Sequence, residues 1–506
     1  MGKCRLLLRT NEKIITIGGN MKDNKFSIGW AQVDITPEKS VCLCGQFHAR
    51  VSEGIKDPIT STIVVFESKN NGMSQYAVMI SCDLVAIPDE FRKAIISKLN
   101  KLVPEIDEKR IIISATHTHT APEVGGDILR GTKGLNIKDI YGIDLPVMSI
   151  ADYIDFASSI LAEGIKDAWS KRQPGAIGYG LGFAVVGFNR RASYFDGSSR
   201  MYGKTDDEQF SHIEGYEDHS LNILATYDSE KKLTGLIVNI ACPSQVDEGL
   251  FVISADYWHQ VRQELRKRFG EKIFVLPQCS AAGDQSPHVL LCKQTYQRML
   301  DLSGKSERQD IALRIADGIQ RILPDIEKHI DDNPVICCVS KTINLKRFQI
   351  SRQELDKFIE ESKRAYAEYE KLKNEIESNP EKKKEPRWYR DITFHFRKYR
   401  WFDACKTKFE LQEGSVPVEI YVLRIGDIVF ATNPFELFLD YGIRIKARSR
   451  AVQTFVVQLT GGGTYLPTER AIKGGSYGAI APSCMIGPEG GNQLVEETLN
   501  TIHSLW

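Results

Sequence analysis

Two histidines one residue apart, in Ser114-Ala115-Thr116-His117-Thr118-His119-Thr120, are the side chains whose type and spacing are best suited to chemistry. The run before them, residues 110–114, is rich in isoleucine and predicts a strand. If strand geometry persists, positions two apart present both rings on one side. Two imidazoles presented together can both ligate a metal, or one can ligate while the other moves protons. The competing reading is a hydrogen-bonded structural pair. The flanking threonines, Pro122 and Gly125-Gly126 favour exposure at a strand end over packing.

Further candidates stand at other element ends. Glu436 follows Asn433-Pro434 and begins a predicted helix over 437–447, where an ordinary first-turn glutamate would also be at home. Gly283-Asp284-Gln285-Ser286-Pro287 lies just beyond a predicted strand, 273–276, and strand ends are where ligand sites gather in α/β folds. Ser286 could orient substrate or water there; Asp284 is a candidate acid or a turn-forming residue. No G-x-S-x-G elbow stands in usable context, so a directly attacking serine of the common hydrolase type is not indicated. Tyr465 and Tyr477, in the glycine-rich stretch 461–491, could ligate metal or donate to an oxyanion. Gly178, Gly180 and Gly182 are followed by Phe183-Ala184-Val185-Val186, which reads as strand, so they make no dinucleotide fingerprint.

The elements that must hold these residues alternate. Strands are predicted at 62–66, 76–81, 110–114, 176–179, 221–227 and 236–240, with helices at 88–102 and 151–169, a pattern of sheets covered by helices. Between about 349 and 410 charged helix formers and an aromatic second arm predict a helical hairpin inserted into the α/β body, as a lid, a dimer contact or a solvated excursion. A strand pair, 418–423 and 427–431, turning at Gly426, follows it. The division expected is an N-terminal extension (1–26), an α/β catalytic domain in two parts (27–348 and 411–506) and the insertion (349–410).

The 506 residues, 42% hydrophobic, can bury a large core, and 66 basic residues cancel 66 acidic ones. That balance gives no reason to expect nucleic acid or an anionic membrane as partner. No stretch has the length of a membrane span, and the start lacks the apolar run of a secretory leader. The chain as written is therefore expected in the cytoplasm, or outside it if a leader precedes it. Eleven cysteines in so long a chain are not a disulfide framework; Cys42-Leu43-Cys44 and Cys337-Cys338 are read as buried or incidental thiols.

At these residues the sequence resembles the catalytic domain of the neutral/alkaline non-lysosomal ceramidase family, as a divergent member. The resemblance runs from Gly29-Trp30-Ala31-Gln32-Val33-Asp34-Ile35-Thr36-Pro37 through Asp57-Pro58, Ser81-Cys82-Asp83-Leu84 and the histidine pair. It continues through Asn189-Arg190-Arg191, Ile253-Ser254-Ala255-Asp256, the Asp284–Ser286 motif, Asn433–Phe438 and Tyr465-Leu466-Pro467-Thr468. It implies a mixed α/β ceramidase-like fold and hydrolysis of an N-acyl amide by zinc-activated water. His117, His119, Glu436 and Tyr465 would be the metal ligands. His119, Ser286, Tyr465 and Asp284 would act in catalysis, with Arg190 and Tyr477 on the substrate, a small or lipid-like molecule.

One family ligand has no counterpart. A zinc-binding histidine is expected after the strand 236–240, where this chain reads Ala241-Cys242-Pro243-Ser244-Gln245-Val246. Cys242, Gln245, Asp247, His212 and His219 are the candidate substitutes. The family's secreted members also carry a leader and a C-terminal immunoglobulin-like domain, and this sequence stops soon after the catalytic motifs. Two other readings stay open: a glycosidic or ester hydrolase using Glu436, Asp284, Asp256 and Glu123, and a binding protein that has lost the metal.

Overall fold

A computed structural model describes residues 25–70, 73–125 and 135–506. The expected N-terminal extension, but for its last two residues, and Gly126 lie outside the described residues. Eight strands build the first sheet: β1 (Lys25–Asp34), β2 (Thr60–Asn70), β3 (Met73–Cys82), β4 (Ile111–Ala115), β5 (Gln173–Phe183), β6 (Ser220–Asp228), β7 (Leu233–Ile240) and β8 (Phe274–Cys279). Their spatial order is β8-β7-β6-β5-β1-β2-β3-β4. A second sheet, in sequence order, holds β9 (Ile336–Lys346), β10 (Ser415–Ile425), β11 (Ile428–Thr432) and β12 (Gln453–Val457). Most neighbours run antiparallel, but β3–β4, β7–β8 and β11–β12 are parallel.

The two sheets pack face to face because their strands alternate in the manner the pleat requires. Phe26, Ile28 and Trp30 of β1 and Ile112 of β4 meet Leu423, Phe430 and Phe455 in one shared core. Ile111 and Ile113 turn outward, onto α1 (Asp89–Leu102) and α2 (Ile150–Ser170). On the other half of that outer face lie α3 (Tyr257–Phe269) and α4 (Glu307–Ile326). The second sheet's outer residues, Val422, Val429 and Val456, are covered by the later helices. The result is a layered helix–sheet–sheet–helix body.

The hairpin predicted over 349–410 forms as α5 (Arg352–Ser378) and α6 (Arg390–Leu411). A capping box between Ser351 and Glu354 starts it. It does not stand free in solvent: Leu355, Phe358, Trp401 and Phe402 bury against the second sheet's core, and Tyr369 donates to the Gly142 carbonyl at 3.0 Å. Two longer helices follow in the second part of the chain, α7 (Leu439–Arg448) and α8 (Pro488–His503). Glu436 does not begin a helix as predicted. Glu436–Leu437 pairs as a two-residue parallel strand with Tyr465–Leu466, and α7 starts only at Leu439. No helix among the described residues is long and apolar enough to cross a membrane.

Buried ion pairs pin the helices to the strand ends. Arg262 of α3 holds both oxygens of Asp83, at 2.8 and 2.9 Å, where β3 has just ended. Arg308 of α4 does the same to Asp57. Asp57-Pro58 and the Ser81–Leu84 strand end are two of the motif positions, and both act here as clamps.

Candidate active site

The C-terminal ends of β4, β7, β8, β11 and β12 deliver the site. His117 follows β4 by two residues, Gln245 follows β7, Ser286 follows β8, Glu436 follows β11 and Tyr465 follows β12. The segments at these strand ends are joined directly, the Ser244 N–H donating to the Thr116 carbonyl, that of Ala115 to Leu459 and that of Gln458 to Cys279, which is why residues so far apart in sequence meet.

His117 does not continue the strand: its φ is +66°, and the bend is held by its own N–H and that of Thr118 on the Leu84 carbonyl, at 2.9 and 3.2 Å. The two rings therefore converge through a left-handed turn, not through the strand period. Nδ1 of His117 lies 2.8 Å from the Val85 carbonyl oxygen. A carbonyl can only accept, so Nδ1 carries a hydrogen, which leaves Nε2 as the nitrogen able to present a lone pair to the site.

Around that nitrogen stand Glu436 Oε2 at 3.4 Å and His119 Nε2 at 3.3 Å. Tyr465 hydrogen-bonds the Glu436 carboxylate. Burial pushes the Glu436 carboxyl up, but His117, Arg190 and Tyr465 outweigh it and hold it below the usual carboxylate range. Burial and the neighbouring carboxylate push the Tyr465 phenol well above its ordinary value. The backbone of Gly283 passes so close beneath that a Cβ there would lie 2.3 Å from the Glu436 carbonyl oxygen.

Arg190 is the fully buried cation of the site. It donates to the Gly283 carbonyl (2.9 Å), Tyr202 (3.0 Å), Gln245 Oε1 (3.1 Å) and Tyr465 (3.3 Å), and lies 3.9 Å from Glu436. Its hold on Gln245 Oε1 turns that side chain's amide nitrogen to His119 Nε2, 2.8 Å away. His119 Nδ1 in turn lies 3.3 Å from Glu248. Burial pushes the His119 ring down to about 4, so it stays neutral. Gly45, at φ +107°, covers this ring, and a Cβ there would meet His119 Cγ at 2.5 Å. Ser286 accepts from Tyr202 and from the His288 N–H, each at 3.1 Å.

The remaining expected site residues sit elsewhere. Cys242 donates to the Pro243 carbonyl, is buried among core residues, and has its thiol pushed well up by that burial. Asp247 pairs with Arg308 and Lys56. His212 is exposed beside Ser211, and His219 pairs with Glu217. Asp284 is a brace: its carboxylate accepts from the Leu439 N–H and from Asn189, both at 2.9 Å, with no contact to the histidines. The Tyr477 ring packs behind Tyr465 and against Trp401 and Phe47, so it lies one layer back. Of the five substitute ligands, only Gln245 reaches the site. Glu248, His288 and Tyr202, which the sequence reading missed, do as well.

Among the described residues no group of three or more His, Cys, Asp or Glu side chains is arranged to hold a metal ion. Two such donors, His117 and Glu436, do meet, with the Tyr465 oxygen as a third. Their 3.4 Å separation is close to the ~3.3 Å between two ligands of a tetrahedral zinc with bonds of about 2.0–2.1 Å. His119 lies at a similar distance, but its Nε2 is engaged by Gln245.

No family model matches the chain, and no curated protein matches it by sequence. Solved structures share its fold, among them two ceramidases. Neutral ceramidase from Pseudomonas aeruginosa superposes with a TM-score of 0.64 at 15% identity, over 96% of this chain and 75% of that one. A ceramidase complexed with C2 gives 0.65 at 14% identity, with the same coverage. The mixed α/β architecture is thus that of the ceramidases.

Proposed function

We propose that the protein is a metal-assisted hydrolase that cleaves the amide bond of an N-acyl, ceramide-like substrate, with zinc as the metal. The observation that carries this reading is the meeting of the His117 lone pair, the Glu436 carboxylate, the Tyr465 phenol and the Arg190 guanidinium at one buried centre. The likeness of fold to the ceramidases supports the choice of bond.

His117, Glu436 and Tyr465 are the residues that would hold the ion, three protein donors with one position left open, as catalytic zinc sites have. When bound, the metal supplies a Lewis acid and makes water a nucleophile near neutral pH. Arg190 fixes a positive charge where the amide carbonyl oxygen becomes negative, and its four partners hold it there before the substrate arrives. His119 starts neutral, takes a proton from the attacking water and returns it to the departing amine nitrogen. Tyr202 and Ser286 present hydroxyls beside Arg190 that can orient the substrate.

The carboxylate-only reading loses its reagents: Asp284 braces Leu439, Asp256 accepts the N–H groups of Asp247 and Tyr257, and Glu123 is bound to Cys44 and Tyr141. A binding protein with a dismantled site would have Glu436 turned away from His117, and here it faces that ring. The test is release of fatty acid from N-acylsphingosine and from simple N-acyl amines, followed by mass spectrometry. Turnover that a chelator abolishes supports the reading. Turnover of esters or glycosides alone, indifferent to chelator, overturns it.

A further inference from the structure

Opposite the metal-facing side of His119 lies a carboxylate that the mechanism above does not use. Glu248 follows β7 in the turn Asp247-Glu248-Gly249, and its Oε2 stands 3.3 Å from His119 Nδ1. Its other oxygen, Oε1, stands 3.4 Å from Nε2 of His288. The carboxylate thus spans two imidazoles from two different loops. Those loops are tied in place independently. Arg50 donates to the Glu248 carbonyl at 2.6 Å, to the Cys44 carbonyl at 2.6 Å and to the His119 carbonyl, joining the backbones of both partners through one buried guanidinium. The His288 N–H is held by Ser286 at 3.1 Å.

This arrangement decides where the hydrogen of a neutral His119 resides. The Glu248 carboxylate, 3.3 Å from Nδ1 though not aligned as a hydrogen bond, favours Nδ1–H through its charge; the Gln245 amide nitrogen, 2.8 Å from Nε2, can only donate, so it favours the lone pair there. Both neighbours select one tautomer, the one able to take a proton on the atom that faces His117. We propose that Glu248 is the positioning residue for His119, fixing its tautomer and ring orientation, and that His288 holds Glu248 in turn. This rests on the proton-transfer part of the proposed function. During hydrolysis the proton leaves water for His119 Nε2, Nδ1–H stays in place, and the imidazolium so formed faces the Glu248 carboxylate until the amine nitrogen takes the proton away. No other covalent bond changes; the Gln245 N–H gives up Nε2 as the proton arrives and regains it when the proton leaves.

The experiment reads the tautomer directly, by long-range proton–nitrogen correlation on 15N-histidine-labelled full-length protein, with His119 assigned through His119→Gln. The wild type is expected to show His119 as Nδ1–H, and Glu248→Ala to lose that preference. On an N-acyl amide, Glu248→Ala should lower kcat roughly 10- to 100-fold with KM changed less than about threefold, and Glu248→Asp should recover part of the loss. His288→Asn should give a smaller fall in kcat. Finding Nε2–H on His119 in the wild type, an unchanged tautomer in Glu248→Ala, or an unchanged kcat would overturn the proposal. If the wild type hydrolyses no N-acyl amide, the functional reading fails by itself, and the tautomer still decides the role of Glu248.

Discussion

The Nε2 atoms of His117 and His119 stand 3.3 Å apart, while the outer nitrogen of His117 faces a carbonyl at 2.8 Å and that of His119 lies near a carboxylate at 3.3 Å without an aligned hydrogen bond. With the hydrogen of each ring on its outer nitrogen, the two rings bring lone pairs toward each other, an arrangement that a cation between or beside them relieves. Glu436 adds the negative charge that such a cation needs. Glu436→Gln keeps the size and removes the charge, so the variant should fold as the wild type does and lose chelator-sensitive hydrolysis altogether. Full activity in this variant would show that the carboxylate is structural.

The two tyrosines of the glycine-rich region separate cleanly by geometry. Tyr465 touches Glu436 and Arg190 through its hydroxyl, whereas the Tyr477 ring packs against that of Tyr465. Tyr465→Phe is expected to lower kcat about 10²- to 10³-fold, the scale for loss of one oriented oxyanion partner. Tyr477→Phe, which keeps the ring packed behind Tyr465, should lower kcat less than Tyr465→Phe does. Steady-state kinetics on both variants checks the difference.

Arg262 and Asp83 are both buried and meet through two hydrogen bonds. Removing one partner leaves the other charge stranded, so Arg262→Ala should cost about 3–5 kcal/mol of stability. Urea unfolding followed by circular dichroism measures this; a loss below about 1 kcal/mol would mean that water reaches Asp83 and replaces the guanidinium.

Acid should loosen the packing around His48, whose ring stacks on Phe251. Burial, then the positive charges of Arg390, Arg50 and Arg397, push the His48 ring down to about 4. A ring with a folded value below its unfolded value, near 6.5, contributes stability that is present above that value and is lost as pH falls from about 6.5 toward 4. The melting temperature should drop over that window, and His48→Gln should flatten the drop. An unchanged slope in the variant would assign the acid sensitivity to other groups.

The site's centre was legible because each of its residues sits in a short motif at a strand end: His117 and His119 after β4, Arg190 in Asn189-Arg190-Arg191, Glu436 after Asn433-Pro434, and Tyr465 before Leu466-Pro467. Glu248 was not, since Asp247-Glu248-Gly249 reads as a solvated turn and only the folded chain brings it beneath His119. His288 and Tyr202 escaped for the same reason. The local structure at Glu436 was misread because Leu437, Phe438 and Ile443 mimic a helical stripe. What makes 436–437 a strand is pairing with 465–466, almost thirty residues on, which no local pattern carries. Asp57 and Asp83 stood out as motif residues, yet their partners Arg308 and Arg262 lie on helices with no motif, so their clamping role came only with the fold. The hairpin was found by its periodicity, but its aromatic contacts, Trp401 against Phe47 and Tyr477, depend on tertiary packing.

The most direct test of the account is the metal content of full-length protein purified without added metal or chelator, measured by elemental mass spectrometry beside the His117→Ala, Glu436→Gln double variant. The account predicts about one equivalent of zinc per chain in the wild type and none above background in the variant. No metal in the wild type, even after incubation with zinc and removal of the excess, would contradict it.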